Sequence, residues 1–166
     1  MKTDKIYLVG FMGAGKTTLA RALGQRLGWR VEDVDELIES RERATVSAIF
    51  ATRGEAYFRA TEREVVRQLL APRHAVVATG GGTYADPESR RLINEDGVAI
   101  WLDVPFGRVI ERVPADGRRP LAADRDRFEA LYAARRVAYL NAHLRLDASR
   151  APVEELVERI LDWLGY

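Results

Sequence analysis

The stretch Gly10–Thr18, GFMGAGKTT, limits what this chain can fold into more than any other. It satisfies G-x-x-x-x-G-K-[ST], with Gly10, Gly15, Lys16 and Thr17 in the fixed places. Glycines let a loop turn backbone N–H groups inward around phosphate oxygens, and a helix starting at its end adds the positive end of its dipole. A lysine in this position reaches the β/γ-phosphates, and the threonine hydroxyl after it can ligate Mg²⁺. The flanks suit such a loop. KIYLVG before it is a short apolar run fit for a buried strand, and TLARALGQRLG after it has helical periodicity. Among the 26 basic side chains Lys occurs only at Lys2, Lys5 and Lys16, and the rest are Arg. A chain that defaults to Arg uses Lys here, where a compact ammonium between phosphates is wanted rather than a planar fork.

A length of 166 residues is expected to form one domain, 1–166, large enough to bury most of its apolar surface. The net charge of +1 supplies no global field to draw in nucleic acid or a membrane surface. No stretch approaches membrane-spanning length, and the N-terminus lacks the apolar core of a leader. Cys is absent, which excludes disulfides, thiolate zinc sites and Cys nucleophiles. The expectation is a cytoplasmic protein and a monomer, with neither nucleic acid nor membrane as partner.

Strand and helix patterns alternate along the chain. Strands are expected at Ile6–Val9, Arg30–Val34, Ala75–Thr79, Val98–Leu102 and Leu144–Asp147. Helices are expected over Lys16–Leu27, Asp35–Glu42 with Asp35 as N-cap, Val46–Phe50, Glu55–Leu70, Pro87–Ile93, Pro105 to about Val113, Phe128–Leu140 and Val153–Leu164. Five short apolar strands spaced by helices imply an α/β fold, a parallel sheet with helices on both faces. Ligands of such sheets sit beyond the carboxyl ends of the strands. Those ends deliver the phosphate loop, then Asp33 and Asp35, then Gly80-Gly81-Gly82, then Asp103.

Asp33 and Asp35 alternate along an extended segment, so one can hold a metal's water shell while the other faces a second ligand. The competing reading is that Asp35 merely caps the next helix. Three consecutive glycines at a strand end let a ligand approach the backbone, or else mark a turn. Arg59 stands one helical turn from Glu55 and Glu62, which taken alone reads as an exposed ion pair, with Tyr57 and Phe58 beside it as core. Residues 108–136 hold eight arginines against five acids. The irregular run within them, about 113–126, has the character of a closing lid, with Arg125 and Arg127 as solvated loop residues.

Taken in order, the phosphate loop, Asp33-Val34-Asp35, Phe58-Arg59 on a helix, Gly80-Gly81-Gly82, Arg119-Pro120-Leu121 in a lid and a late Arg-x-x-x-Tyr resemble the shikimate kinase family over nearly the whole chain. The resemblance implies a three-layer P-loop kinase fold with an arginine-containing lid. It implies an ATP- and Mg²⁺-dependent kinase phosphorylating the 3-hydroxyl of shikimate. In that frame Gly13, Ala14, Gly15, Lys16, Thr17 and Thr18 bind the ATP phosphates, and Thr17 with Asp33 holds Mg²⁺. Asp35 binds the ring hydroxyls and takes the proton of the attacking one. Arg59 and Arg135 clamp the shikimate carboxylate, with Gly81 and Gly82 offering backbone contacts. Arg119 joins the transferring phosphoryl group, Arg112 lies against adenine, and Arg150 and Pro152 complete the base pocket. Where the family pattern reads Arg-x-Pro-x-Tyr, this chain has Arg135-Arg136-Val137-Ala138-Tyr139. Either arginine can then be the second clamp, and the spacing to Tyr139 favours Arg135. A kinase for another small hydroxy acid, such as gluconate, and a non-catalytic nucleotide-binding module are the two alternatives. A GTPase switch would need Asn-Lys-x-Asp, and no Lys follows position 16.

Overall fold

The computed structural model describes residues 2–112 and 124–166. In chain order the elements are β1 (Lys5–Val9), α1 (Lys16–Leu27), β2 (Arg30–Asp33), α2 (Val34–Glu42), α3 (Val46–Arg53), α4 (Glu55–Gln68), β3 (Ala75–Ala78), α5 (Pro87–Asp96), β4 (Val98–Asp103), α6 (Phe106–Arg112), α7 (Arg125–Tyr139), β5 (Leu144–Asp147) and α8 (Val153–Leu164). The five strands form one sheet in the order β2-β3-β1-β4-β5, and every neighbouring pair is parallel. This is the α/β architecture expected of the alternating pattern.

Continuous apolar runs became the central strands. All residues of β1 and β3 are buried, so both faces of the sheet's centre are covered. The edge strand β2 alternates in character and stays partly exposed. The register Leu8↔Ala78 between β1 and β3 and Asp33↔Ala78 between β2 and β3 brings the carboxyl ends of three strands level. Whatever follows each strand therefore lies beside its neighbours.

At the opposite, amino end, β1 begins one residue earlier than its apolar run, on a fully buried lysine. Lys5 Nζ donates to the carbonyls of Leu69 and Pro72 and lies 3.6 Å from Asp96. Tyr7 donates its phenol to the same Asp96 at 2.6 Å, and Arg73 links Asp96 to Asp4. Burial pulls the Lys5 ammonium below the usual lysine value, opposed by the charge of Asp96.

Several helix boundaries differ from the sequence expectation, among them that of α3, which runs past Phe50 to Arg53. Asp33, not Asp35, caps α2: its backbone is extended and its carboxylate accepts from the Glu36 N–H at 3.0 Å, which places Asp35 inside the first helical turn. Asp86 accepts from Ser89 N–H and starts α5, which runs on to Asp96, past Ile93. Asp124 caps α7, so Arg125 and Arg127 are solvent-exposed residues of a helix rather than of a loop. Of the expected lid, residues 113–123, Arg119 among them, lie outside the described residues.

One glycine tests the packing directly. Gly24 lies mid-α1, where a Cβ would sit 2.3 Å from Val31 Cγ2 and 3.2 Å from the Trp29 carbonyl oxygen. Helix propensity alone predicts that Gly24→Ala stabilises by about 1 kcal/mol. The collision with a stiff β-branched side chain on β2 reverses the sign, and we expect a net loss of about 1–2 kcal/mol. Urea unfolding checks this. Gly24→Ala combined with Val31→Ala should be less destabilised than the sum of the two single changes, and simple additivity would show that the contact is not the cause.

Candidate active site

The phosphate loop leaves β1 and enters α1 through two left-handed glycines, Gly13 (φ 76°) and Gly15 (φ 95°). Gly15 caps α1 with no side-chain hydrogen bond, and the first turn of α1 contains no acidic residue. The dipole of α1 thus meets no anionic side chain of that turn. Lys16 is buried, and its ammonium reaches back across the loop to the carbonyls of Gly10 (2.6 Å) and Phe11 (2.8 Å). Ala14 is buried within the loop and Thr18 is exposed on α1. Arg112, the last residue of α6, donates to the Gly13 carbonyl at 3.3 Å and so stands against the loop.

Thr17 donates its hydroxyl to Asp33 Oδ2 at 2.7 Å, while the other oxygen of Asp33 caps α2. One hydroxyl and one carboxylate oxygen make a hard, sparse donor pair. Mg²⁺ commonly takes only one or two protein ligands and completes its octahedron with water and phosphate oxygens, so the pair fits that ion. Among the described residues no cluster of three or more His, Cys, Asp or Glu could cage a metal by itself.

The second half of the site is built on the backbone after β3. A Cβ on Gly80 would lie 2.7 Å from Asp35 Oδ1, one on Gly81 3.2 Å from Arg135 Nη1, and one on Gly82 2.5 Å from Arg59 Nη2. Each glycine is therefore occupied by one functional side chain, from α2, α7 and α4 respectively. The Gly-rich run is a close-approach surface, and not only a turn. The structure brings Asp35, Gly81, Gly82, Arg59 and Arg135 together beside Met12 of the phosphate loop.

The two arginines differ in how their charge is met. Arg59 is only 18% exposed and donates to Glu62 at 2.9 Å, with Glu55 at 3.7 Å. The exposed ion pair expected from helical spacing is thus a mostly buried one, because this face of α4 lies against Gly82 in the glycine run after β3. Glu62 itself is buried and accepts a second bond from Thr83, whose oxygen accepts from the Gly80 N–H. This chain from glycine loop to arginine was invisible in the sequence, where Glu62 is one of many i,i+3 acids. Arg135 is 8% exposed, and among the described residues no carboxylate lies within 4.0 Å of it. Burial pulls its guanidinium below the ordinary arginine value and the Arg59 charge adds to this, against the opposing pull of Tyr139. Arginine starts so high that it stays charged at neutral pH.

Arg136 points elsewhere, to Asp103 at 2.6 Å. The rotation of α7 separates the two adjacent arginines: Tyr139, one turn beyond Arg135, donates to the Gly81 carbonyl at 2.5 Å. Phe11 of the phosphate loop packs on Phe128 and Tyr132 of α7 at 5.2 and 5.1 Å between centroids, with the Arg135 guanidinium 5.7 Å from its ring. Arg150, ahead of α8, lines a recess with Arg108 and Glu111 of α6, next to Ser149, and Pro152 is the N-cap of α8.

The family model described as shikimate kinase matches residues 12–165. A shikimate kinase of Persephonella marina is 40% identical over 157 residues, covering 94% of this chain and 96% of that protein. The solved shikimate kinase from Acinetobacter baumannii, in complex with shikimate, superposes with a TM-score of 0.93 at 32% identity, covering 98% of this chain and 93% of that one. The Aquifex aeolicus shikimate kinase does so with a TM-score of 0.87 at 36% identity, covering 96% and 95%. Agreement of this extent in sequence and in fold leaves one conclusion: the chain belongs to the shikimate kinase family.

Proposed function

We propose that this protein transfers the γ-phosphoryl group of ATP to the 3-hydroxyl of shikimate. The observation that carries the reading is the convergence of Asp35, Arg135 and Arg59 on three successive glycines beside a phosphate loop. A carboxylate-bearing polyol needs a cationic clamp at one end and a hydrogen-bond acceptor at the other, and these groups supply both. Arg135 and Arg59 hold the carboxylate. The anion supplies a close counter-charge to buried Arg135, which Glu62 and Glu55 act on only from beyond ion-pair distance.

Asp35 accepts the proton of the attacking hydroxyl and orients it towards the loop. Lys16 and the N–H groups of Gly13 to Thr18 hold the phosphate chain. Phosphoryl transfer asks the protein chiefly for position and charge neutralisation, so no covalent role falls to any side chain. Thr17 and Asp33 would hold Mg²⁺, which, when bound, neutralises charge developing on the phosphate oxygens. Arg119, outside the described residues, is assigned to the transferring group on its place in the Arg-Pro-Leu motif. Arg112, Arg150 and Pro152 flank the adenine. On this reading the enzyme is a monomer in the cytoplasm.

A coupled ADP-release assay over shikimate, quinate, gluconate and a nucleoside monophosphate tests the reading. Turnover should be confined to shikimate, and faster turnover of gluconate would replace it with the hydroxy-acid alternative. Asp35→Asn should lower kcat by about 10²–10⁴-fold while ATP affinity holds. A nucleotide-dependent switch would keep both partner and nucleotide. Arg59→Ala should raise KM for shikimate about 10–100-fold, the loss of a charged hydrogen-bond pair, with KM for ATP little changed. Gly82→Ala should shift the same constant in the same direction without removing any charge, because its Cβ displaces the Arg59 guanidinium. Equal effects on both substrates in either variant would remove the clamp assignment.

A further inference from the structure

Two adjacent arginines on one helix cannot both face Gly81, because successive residues point about 100° apart around an α-helix. Arg135 belongs to the stripe of α7 that contains the buried Phe128 and Tyr139. Arg136 belongs to the next stripe, with Tyr132 one turn before it. That second stripe is fastened to the carboxyl end of β4. Arg136 Nη1 donates to Asp103 Oδ1 at 2.6 Å and to the Tyr132 hydroxyl at 3.1 Å, and Tyr132 donates to the Val104 carbonyl at 2.7 Å. The Arg136 guanidinium also lies 4.9 Å from the centre of the Trp101 ring.

Asp103 is the centre of this arrangement. Its side chain is 12% exposed, and its second oxygen receives Nε (2.8 Å) and Nη2 (2.5 Å) of Arg145 from β5. Each oxygen thus meets one guanidinium, which leaves the carboxylate little freedom to move. Without its charge, Arg136 and Arg145 would face each other around Trp101 with no shared anion. The hold of β4 on that stripe of α7 would then be lost.

We propose that Asp103 is a positioning residue for the acid substrate: by holding Arg136 it fixes the rotation of α7 that presents Arg135 to Gly81. The inference rests on the reading of Arg135 as that clamp. It assigns work to a residue at a strand end that contacts neither substrate nor phosphate.

Steady-state kinetics with each substrate varied in turn provide the test. Asp103→Asn should raise KM for shikimate about five- to tenfold, with kcat and KM for ATP within about twofold, the size expected for one charged hydrogen bond acting on one ligand. Asp103→Glu, which keeps the carboxylate, should stay close to the parent. Asp103→Asn combined with Arg136→Leu should raise KM for shikimate no further than Asp103→Asn alone, because both changes break the same tether. Arg136→Lys, a milder change that keeps the charge and loses the planar fork, should shift the same constant in the same direction by about two- to threefold. Arg135→Ala, run alongside, reports on the clamp itself. If it raises KM for shikimate while Asp103→Asn and Arg136→Lys leave it unchanged, the positioning role is overturned and the clamp stands. Equal increases in both KM values for Asp103→Asn, or a further increase in the double variant, would reduce Asp103 to general stability and overturn it too. An unchanged KM in Arg135→Ala removes the clamp and this inference with it.

Discussion

The site depends on one close approach: the backbone of Gly80–Gly82 lies so near three side chains that no Cβ fits there without moving one of them. Those side chains come from α2, α4 and α7, elements far apart in sequence. What gathers them is the place of β3 in the sheet, between β2, which leads into Asp33 and Asp35, and β1, which leads into the phosphate loop. A parallel sheet with level carboxyl ends puts these loops side by side without further instruction. The acceptor half of the site and the phosphate half are neighbours because their strands are.

Charge then decides what the acceptor half can hold. Arg59 shares its charge with buried Glu62, whereas Arg135 is buried with no carboxylate in ion-pair range among the described residues. Moving a guanidinium out of water costs several kcal/mol unless an anion or strong acceptors compensate. A neutral polyol would leave that cost standing, and an acid relieves it. The same argument separates Arg135 from Arg136, whose charge is already answered by Asp103.

What the sequence made legible follows the range of the interactions involved. The phosphate loop, the five strands and the Asp33–Asp35 and glycine positions at strand ends are local patterns, and the fold follows from them. The cap of α2 was misplaced because Asp33 and Asp35 are equally good caps by residue type, and only the extended backbone at Asp33 and its bond to Glu36 N–H separate them. Arg59 was read as exposed because helical spacing reveals an ion pair and not which face of α4 meets β3. The burial of Lys5 has no local sign, since its partners, Leu69, Pro72 and Asp96, lie more than sixty residues away. The order of Arg135 and Arg136 turns on the rotation of a helix, which is set by Asp103, Val104 and Gly81.

The two ends of the sheet show how a structural polar cluster differs from a functional one. At the amino end Lys5, Tyr7, Arg73, Asp4 and Asp96 answer one another, with the carbonyls of Leu69 and Pro72 completing the lysine's partners. Such a closed set holds β1 against the segment after α4 and against the end of α5, and it offers a ligand little to bind. At the carboxyl end the first turn of α1 carries no acidic side chain, and Arg135 is buried with no carboxylate in ion-pair range among the described residues. Buried polar capacity is costly to leave unmet, so a fold keeps it only where a ligand meets it. Both clusters contain buried cations, and burial alone would not distinguish Lys5 from Arg135. Closure of the surrounding hydrogen bonds does.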